Sequence, residues 1–112
     1  MDNRKKLREE YKQRVVTGGV YRIVNKQNGK YYLAASVDLR GDKNLFDFSV
    51  ITKSSPVLHL QKEWQKYGGS SFDFEVLEEA EKKAEQSGKE FKEDMRVLAQ
   101  LWAEKFDSTL AY

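Results

Sequence analysis

The sequence contains no cysteine, one proline and one histidine. Without thiols there is no disulfide framework and no thiolate-held zinc. A single imidazole, His59, excludes any centre that needs two. No apolar run approaches the roughly 20 residues that a membrane-spanning helix requires. The start, Met1-Asp2-Asn3-Arg4-Lys5-Lys6, is basic but leads into no apolar signal-peptide core. These absences point to a cytoplasmic protein that does not enter a membrane.

What is present suits one globular domain: 112 residues, 39% hydrophobic and 34% charged. The net charge of +2 names no partner, but its distribution is uneven. Residues 1–30 carry nine Lys/Arg against three Asp/Glu, and residues 69–112 carry six against eleven. A basic front and an acidic back imply a polarised surface, which either faces nucleic acid or is plain solvated helix.

Periodicity divides the chain into elements. Residues 2–14 are polar and helix-favouring, with Leu7, Tyr11 and Val15 on one thin stripe. Residues 1–17 form this N-terminal segment within a single domain of residues 1–112. Val20–Asn25 and Tyr31–Ser36 are β-rich runs flanking Asn28-Gly29, which predicts an antiparallel hairpin with a type I′ turn. In residues 37–55, Asp38 suits a helix cap but Gly41 interrupts, and Leu45–Ile51 reads as a strand or a buried irregular loop. Ser55-Pro56 predicts the start of a helix with Val57, Leu60, Gln61, Trp64 and Tyr67 on one side and Leu58 beside them. Gly68-Gly69 ends it.

Ser71–Leu77 alternates, with Phe72, Phe74 and Val76 on one face and Asp73 and Glu75 on the other, as a half-buried strand does. Glu78–Glu85 reads as helix, and Ser87-Gly88 as a break. A last helix over about 89–106 places Phe91, Met95, Leu98 and Trp102 inward. The expected fold is α/β of the α+β type: a three-stranded antiparallel sheet flanked by helices. Trp64, Phe72, Phe74, Leu98 and Trp102 are its expected core.

Two segments of the hairpin carry a resemblance. Gly19-Val20-Tyr21 and Tyr32-Leu33-Ala34 are similar to the paired signatures of the GIY-YIG nuclease superfamily, and the later order fits too. That order is a helix ending in Trp64-Gln65-Lys66-Tyr67-Gly68, a strand over Phe72–Glu78, and a helix carrying a tryptophan. The resemblance implies metal-dependent hydrolysis of DNA with magnesium or manganese, in which Tyr21 and Tyr32 act near the attacking water. It also implies an arginine that steadies the scissile phosphate, about ten residues after Tyr32, and a metal-holding glutamate three residues before the helix tryptophan. Those positions hold Asp42 and Ala99. Arg40 is the substitute candidate for the arginine. Asp94, Gln100 and Glu104 point in helical directions other than that of Ala99, since one residue turns a helix by about 100°.

The candidate catalytic set is therefore Tyr21, Tyr32 and Arg40, with no residue assigned to metal and no small-molecule cofactor indicated. His59 shares a helix face with Lys62, Glu63 and Lys66 and reads as an exposed polar residue. The expected activity is weak or absent. Three functions stay open: a poor nuclease, a nucleic-acid-binding module that no longer cleaves, and a protein-interaction module on the same fold.

Overall fold

The structure, a computed structural model, describes residues 16–112. The helix expected over 2–14 lies outside them. Three strands, β1 (Thr17–Asn25), β2 (Tyr31–Ser36) and β3 (Phe72–Glu81), form one antiparallel sheet in the order β2-β1-β3. The helices are α1 (Leu39–Thr52), α2 (Gln61–Tyr67, entered through a 3₁₀ turn at Leu58–Leu60) and α3 (Gly88–Ala103). The expected sheet is present, with β1 in the middle.

The β1–β2 loop differs from a type I′ turn. Gly29 takes a positive φ of 76°, but Asn28 does not. The loop is closed by Asn25 N–H donating to the Lys30 carbonyl and Gly29 N–H donating to the Asn25 carbonyl, both 2.8 Å. Asparagine side chains shape the turn: Asn25 Oδ1 accepts from the Gln27 N–H and Asn28 Oδ1 from the Lys30 N–H, each at 2.9 Å.

Pleating assigns the sheet residues to two faces. Tyr21 and Ile23 of β1 register with Ala34 and Tyr32 of β2, and with Val76 and Phe74 of β3. This face packs on α1 and α2 in a core of Tyr21, Ile23, Leu39, Phe46, Leu60, Trp64 and Phe72. Trp64 stacks on Phe72 at 4.9 Å between ring centroids, and Phe46 meets Trp64 edge-on at 5.8 Å. The opposite face carries Val20, Arg22, Tyr31 and Leu33, and α3 packs there through Phe91, Met95 and Ala99.

Gly19 marks the closest backbone approach. A Cβ there would lie 1.9 Å from the Glu78 carbonyl oxygen, next to the register shift between Val20 and Tyr21, and φ is +153°. Only glycine fits this position.

Three expectations need correction. Residues 39–52 are one continuous helix, although Leu45–Ile51 is rich in β-formers. Asp38 does cap it, accepting from the Gly41 N–H at 3.1 Å. The helix wins because it buries Leu39, Phe46 and Ser49 together, and Phe46 has aromatic partners on α2 and β3. Glu78–Glu81 continues β3 instead of starting a helix, because it completes the ladder with Thr17–Val20. On α3 the buried stripe is Phe91, Met95 and Ala99, spaced by four, so Leu98 and Trp102 sit at its margin, half-buried. Phe74 is half-buried as well.

Other boundaries shift less. Ser55-Pro56 precedes an extended Val57, and the regular helix begins at Gln61, with Leu58 exposed. The start of α3 is a capping box: Ser87 Oγ accepts from the Glu90 N–H at 3.1 Å, and the Glu90 carboxylate reaches back to the Ser87 N–H.

The two tryptophans therefore differ in what they hold together. Trp64 is 2% exposed and surrounded by Phe46 and Phe72. Trp102 donates its Nε1–H to Glu78 at 2.8 Å and is covered on one side by Lys105. Trp64→Ala is expected to destabilise by ~3–5 kcal/mol, the range for emptying a core aromatic site, and Trp102→Ala by roughly half of that or less. Urea denaturation of both variants checks this; equal losses would place Trp102 in the core after all.

Candidate active site

The antiparallel register puts Tyr21 and Tyr32 on the same face of neighbouring strands, one pair apart along the ladder. Ala34 stands directly opposite Tyr21. Both phenols thus sit where β1 and β2 meet the start of α1. Tyr21 is only 6% exposed, and its ring stacks on Phe74 at 4.6 Å and 19°. Tyr32 is half-buried, and the ring of His59, from the turn before α2, lies 5.6 Å from its own. His59 is exposed, as its place among polar residues implies, and its approach to Tyr32 depends on how α2 docks, which no local pattern encodes.

Asp42 completes the group. It lies in the first turn of α1, and its carboxylate accepts a short hydrogen bond from the Ser36 hydroxyl at the end of β2. The same Ser36 Oγ accepts from the Asp38 N–H at 3.0 Å. Ser36 therefore ties the strand end to the helix cap and holds the Asp42 carboxylate at that junction. The electrostatic effect is one-sided. Burial pushes the Tyr21 phenol well above its usual range, and the charge of Asp42 and then the neighbouring Tyr32 push it further. Burial and Asp42 raise Tyr32 in the same direction. Both phenols are thereby held neutral at ordinary pH.

Arg40 does not join them. It is exposed and lies two residues before Asp42, about 200° away around α1. The Asp42 charge acts on the phenols, while Arg40 is exposed to solvent. Ala99, 9% exposed, is packed between α3 and the other face of the sheet and has no donor atom.

A divalent cation fits this donor set poorly. Asp42 is the carboxylate whose charge acts on the phenols, one of its two oxygens accepts from Ser36, and a single carboxylate is a thin donor set for a divalent cation. Among the described residues, no three His, Cys, Asp or Glu side chains converge as a metal site would need.

Solved structures resemble this arrangement of strands and helices. The catalytic domain of the intron endonuclease I-TevI, in a glutamate-to-alanine mutant form, superposes with a TM-score of 0.60. It is 23% identical and covers 87% of this chain and 92% of its own. A second structure of the catalytic domain of the homing endonuclease I-TevI gives 0.54 at 18% identity, covering 85% of this chain and 95% of its own. The chain has a GIY-YIG-like fold.

No protein-family model and no curated protein matches the sequence. At these identities the likeness is one of fold, and the GIY-YIG-like fold is carried here by a three-stranded antiparallel sheet with three helices. No helix among the described residues is long and apolar enough to cross a membrane. Within the GIY-YIG-like fold, the sequence signatures mark the tyrosine pair correctly as neighbours, because strand register follows from the hairpin. Ser36 was the contact least visible beforehand. A serine at a strand end carries no signal of its own, and its partner lies six residues on, in a segment whose helix was not recognised.

The raised phenols couple the site to stability. A group whose folded pKa exceeds its unfolded value favours the folded state less as pH climbs past the unfolded value, near ~10 for tyrosine. Stability is therefore expected to fall as pH rises above about 10, when the unfolded chain releases protons that Tyr21 and Tyr32 retain. Asp42→Asn removes the negative charge facing them. Tyrosinate absorbance during an alkaline titration should show these phenols ionising at lower pH in the variant; an unchanged titration would show that Asp42 does not act on them.

Proposed function

We propose that this chain is a nucleic-acid-binding domain on a nuclease-like fold in which phosphodiester hydrolysis is weak or absent. The observation that carries the reading is Asp42, a carboxylate beside Tyr21 and Tyr32, in the place where a hydrolytic site on this fold would set a cation against phosphate. Hydrolysis builds negative charge on the phosphate oxygens and the leaving group, and a facing carboxylate opposes that charge. Ala99 supplies no carboxylate for a metal, and Arg40 points away. Magnesium or manganese remains the expected cofactor of any residual activity.

Binding is supported by charge. Residues 16–70, which build β1, β2, α1 and α2, carry eight Lys/Arg against four Asp/Glu. Lys30, Arg40, Lys53, Lys62 and Lys66 among them are exposed. Residues 71–112 carry six against eleven. A phosphate backbone would be drawn to the α1–α2 side and away from β3. I-TevI is an endonuclease, which makes DNA the partner of choice for this chain. The cysteine-free sequence supports a cytoplasmic setting.

A second reading has its own observation. Phe48, Ile51 and Leu58 are 62, 78 and 85% exposed, more apolar surface than an isolated helix pair needs. Protein interaction through α1 and the turn before α2 would cover them.

Two measurements separate these readings. In magnesium or manganese, plasmid nicking should be undetectable or slow, because each lost electrostatic stabiliser costs about two to three orders of magnitude in rate. DNA affinity should fall steeply with added salt, by roughly 0.9 log units per tenfold increase in salt for every phosphate neutralised. Robust nicking abolished by Tyr21→Phe would overturn the loss of hydrolysis. Weak binding indifferent to salt would favour the protein-interaction reading.

A further inference from the structure

Beyond the end of β2 the chain turns into α1 while α3 passes on the other side. Between them lies a cavity of about 310 Å³, lined by Ala35, Ser36, Val37, Asp42, Lys92, Met95 and Arg96. Its volume is at the low end for small-ligand sites. Its walls are chemically divided. Ala35, Val37 and Met95 are apolar, Asp42 is an acceptor on the α1 side, and Lys92 and Arg96 are cations one turn apart on α3.

The charged groups are not equally committed. Asp42 accepts from the Ser36 hydroxyl, which leaves acceptor positions on its second oxygen. Arg96 binds Glu93 through Nε at 3.1 Å and Nη2 at 2.5 Å, and other N–H groups of the guanidinium remain. Lys92 pairs with no carboxylate among the described residues. A ligand matching this division carries an anion at one end, a hydrogen-bond donor at the other and a flat apolar body between.

We propose that this cavity binds a single nucleotide whose base carries an exocyclic amino group. The phosphate lies against Lys92 and Arg96, the base face rests on Met95 and Val37, and the amino group donates to Asp42. A thioether packs well on an aromatic face. Carboxylates accept from the cytosine amino group, whereas uracil and thymine present a carbonyl oxygen at that position, which a carboxylate repels. The cavity therefore selects cytosine over uracil or thymine. The proposal rests on the nucleic-acid-binding reading where the nucleotide is part of a strand. The same chemistry could come from a free nucleotide, and the test distinguishes the two.

The Met95 methyl group serves as the reporter in NMR titrations with cytidine monophosphate, uridine monophosphate, inorganic phosphate, and single strands of deoxycytidine or thymidine. Cytidine monophosphate should shift Met95 and bind about tenfold tighter than uridine monophosphate, the scale of one good base contact. Asp42→Asn, which keeps a partner for Ser36, should narrow that preference. Lys92→Gln and Arg96→Gln, both on the exposed side of α3, should weaken both mononucleotides and inorganic phosphate together without altering thermal unfolding. Equal affinity for the two mononucleotides, or binding that leaves Met95 unmoved, overturns the proposal, as does no binding by any of them. Mononucleotide binding at Met95 without strand binding upholds the cavity and overturns the nucleic-acid reading. Strand binding that leaves Met95 unmoved does the reverse.

Discussion

The structure depends on β1 being hydrogen-bonded along both edges. A strand paired on both sides lies in the middle of the sheet, and most of its side chains are buried on one face or the other. Val20 and Ile23, on opposite faces, are both almost completely buried. One face needs α1 and α2, and the other needs α3. The close approach at Gly19 follows from the same pairing, since β3 gains a residue there and its backbone presses against β1. The tyrosine pair is a by-product of this arrangement: Tyr21 is fixed by the central strand, and Tyr32 is carried beside it by the hairpin.

How legible each part was in the sequence depends on the range of the interaction that decides it. The hairpin around Asn28-Gly29 and the alternation of Phe72, Asp73, Phe74 and Glu75 are short-range signals, and both elements formed where those signals placed them. Leu45–Ile51 misleads because valine, isoleucine and phenylalanine favour strands locally. Its helix is chosen by Phe46 meeting Trp64 and Phe74, residues far along the chain. Glu78–Glu81 misleads in the opposite sense, as glutamate and alanine favour helix, but Thr17–Val20 supplies a ladder that outweighs that preference. The margin of α3 was misplaced by one residue at Leu98, because an aromatic-rich stripe draws the eye to Trp102 while the small Ala99 makes the close contact.

The candidate site divides in the same way. That Tyr21 and Tyr32 are neighbours is a matter of strand register and was readable. That Asp42 is held by Ser36, that His59 reaches Tyr32, and that Lys92 and Arg96 line a cavity with Asp42 all depend on helix docking. Charge sign, however, was visible from the start: an aspartate on α1 is an aspartate whatever its rotamer. Burial then amplifies it, because a carboxylate next to half-desolvated phenols acts through a medium that screens less than water.

The outer edge of β3 has a consequence for how copies of the protein meet. Among the described residues β3 is a ten-residue edge strand, and such edges are where chains add to one another. Here that strand carries Asp73, Glu75, Glu78, Glu79 and Glu81. Two copies brought edge to edge would set these acids against each other, Asp73 and Glu75 being partly offset by Lys26 and Arg22, and that repulsion opposes edge-to-edge pairing. The protection is electrostatic and therefore conditional: concentrated salt shortens its reach, and acid that neutralises the carboxylates removes it. The same row of charge that would turn phosphate away from this side of the molecule would also oppose a fourth strand from another copy.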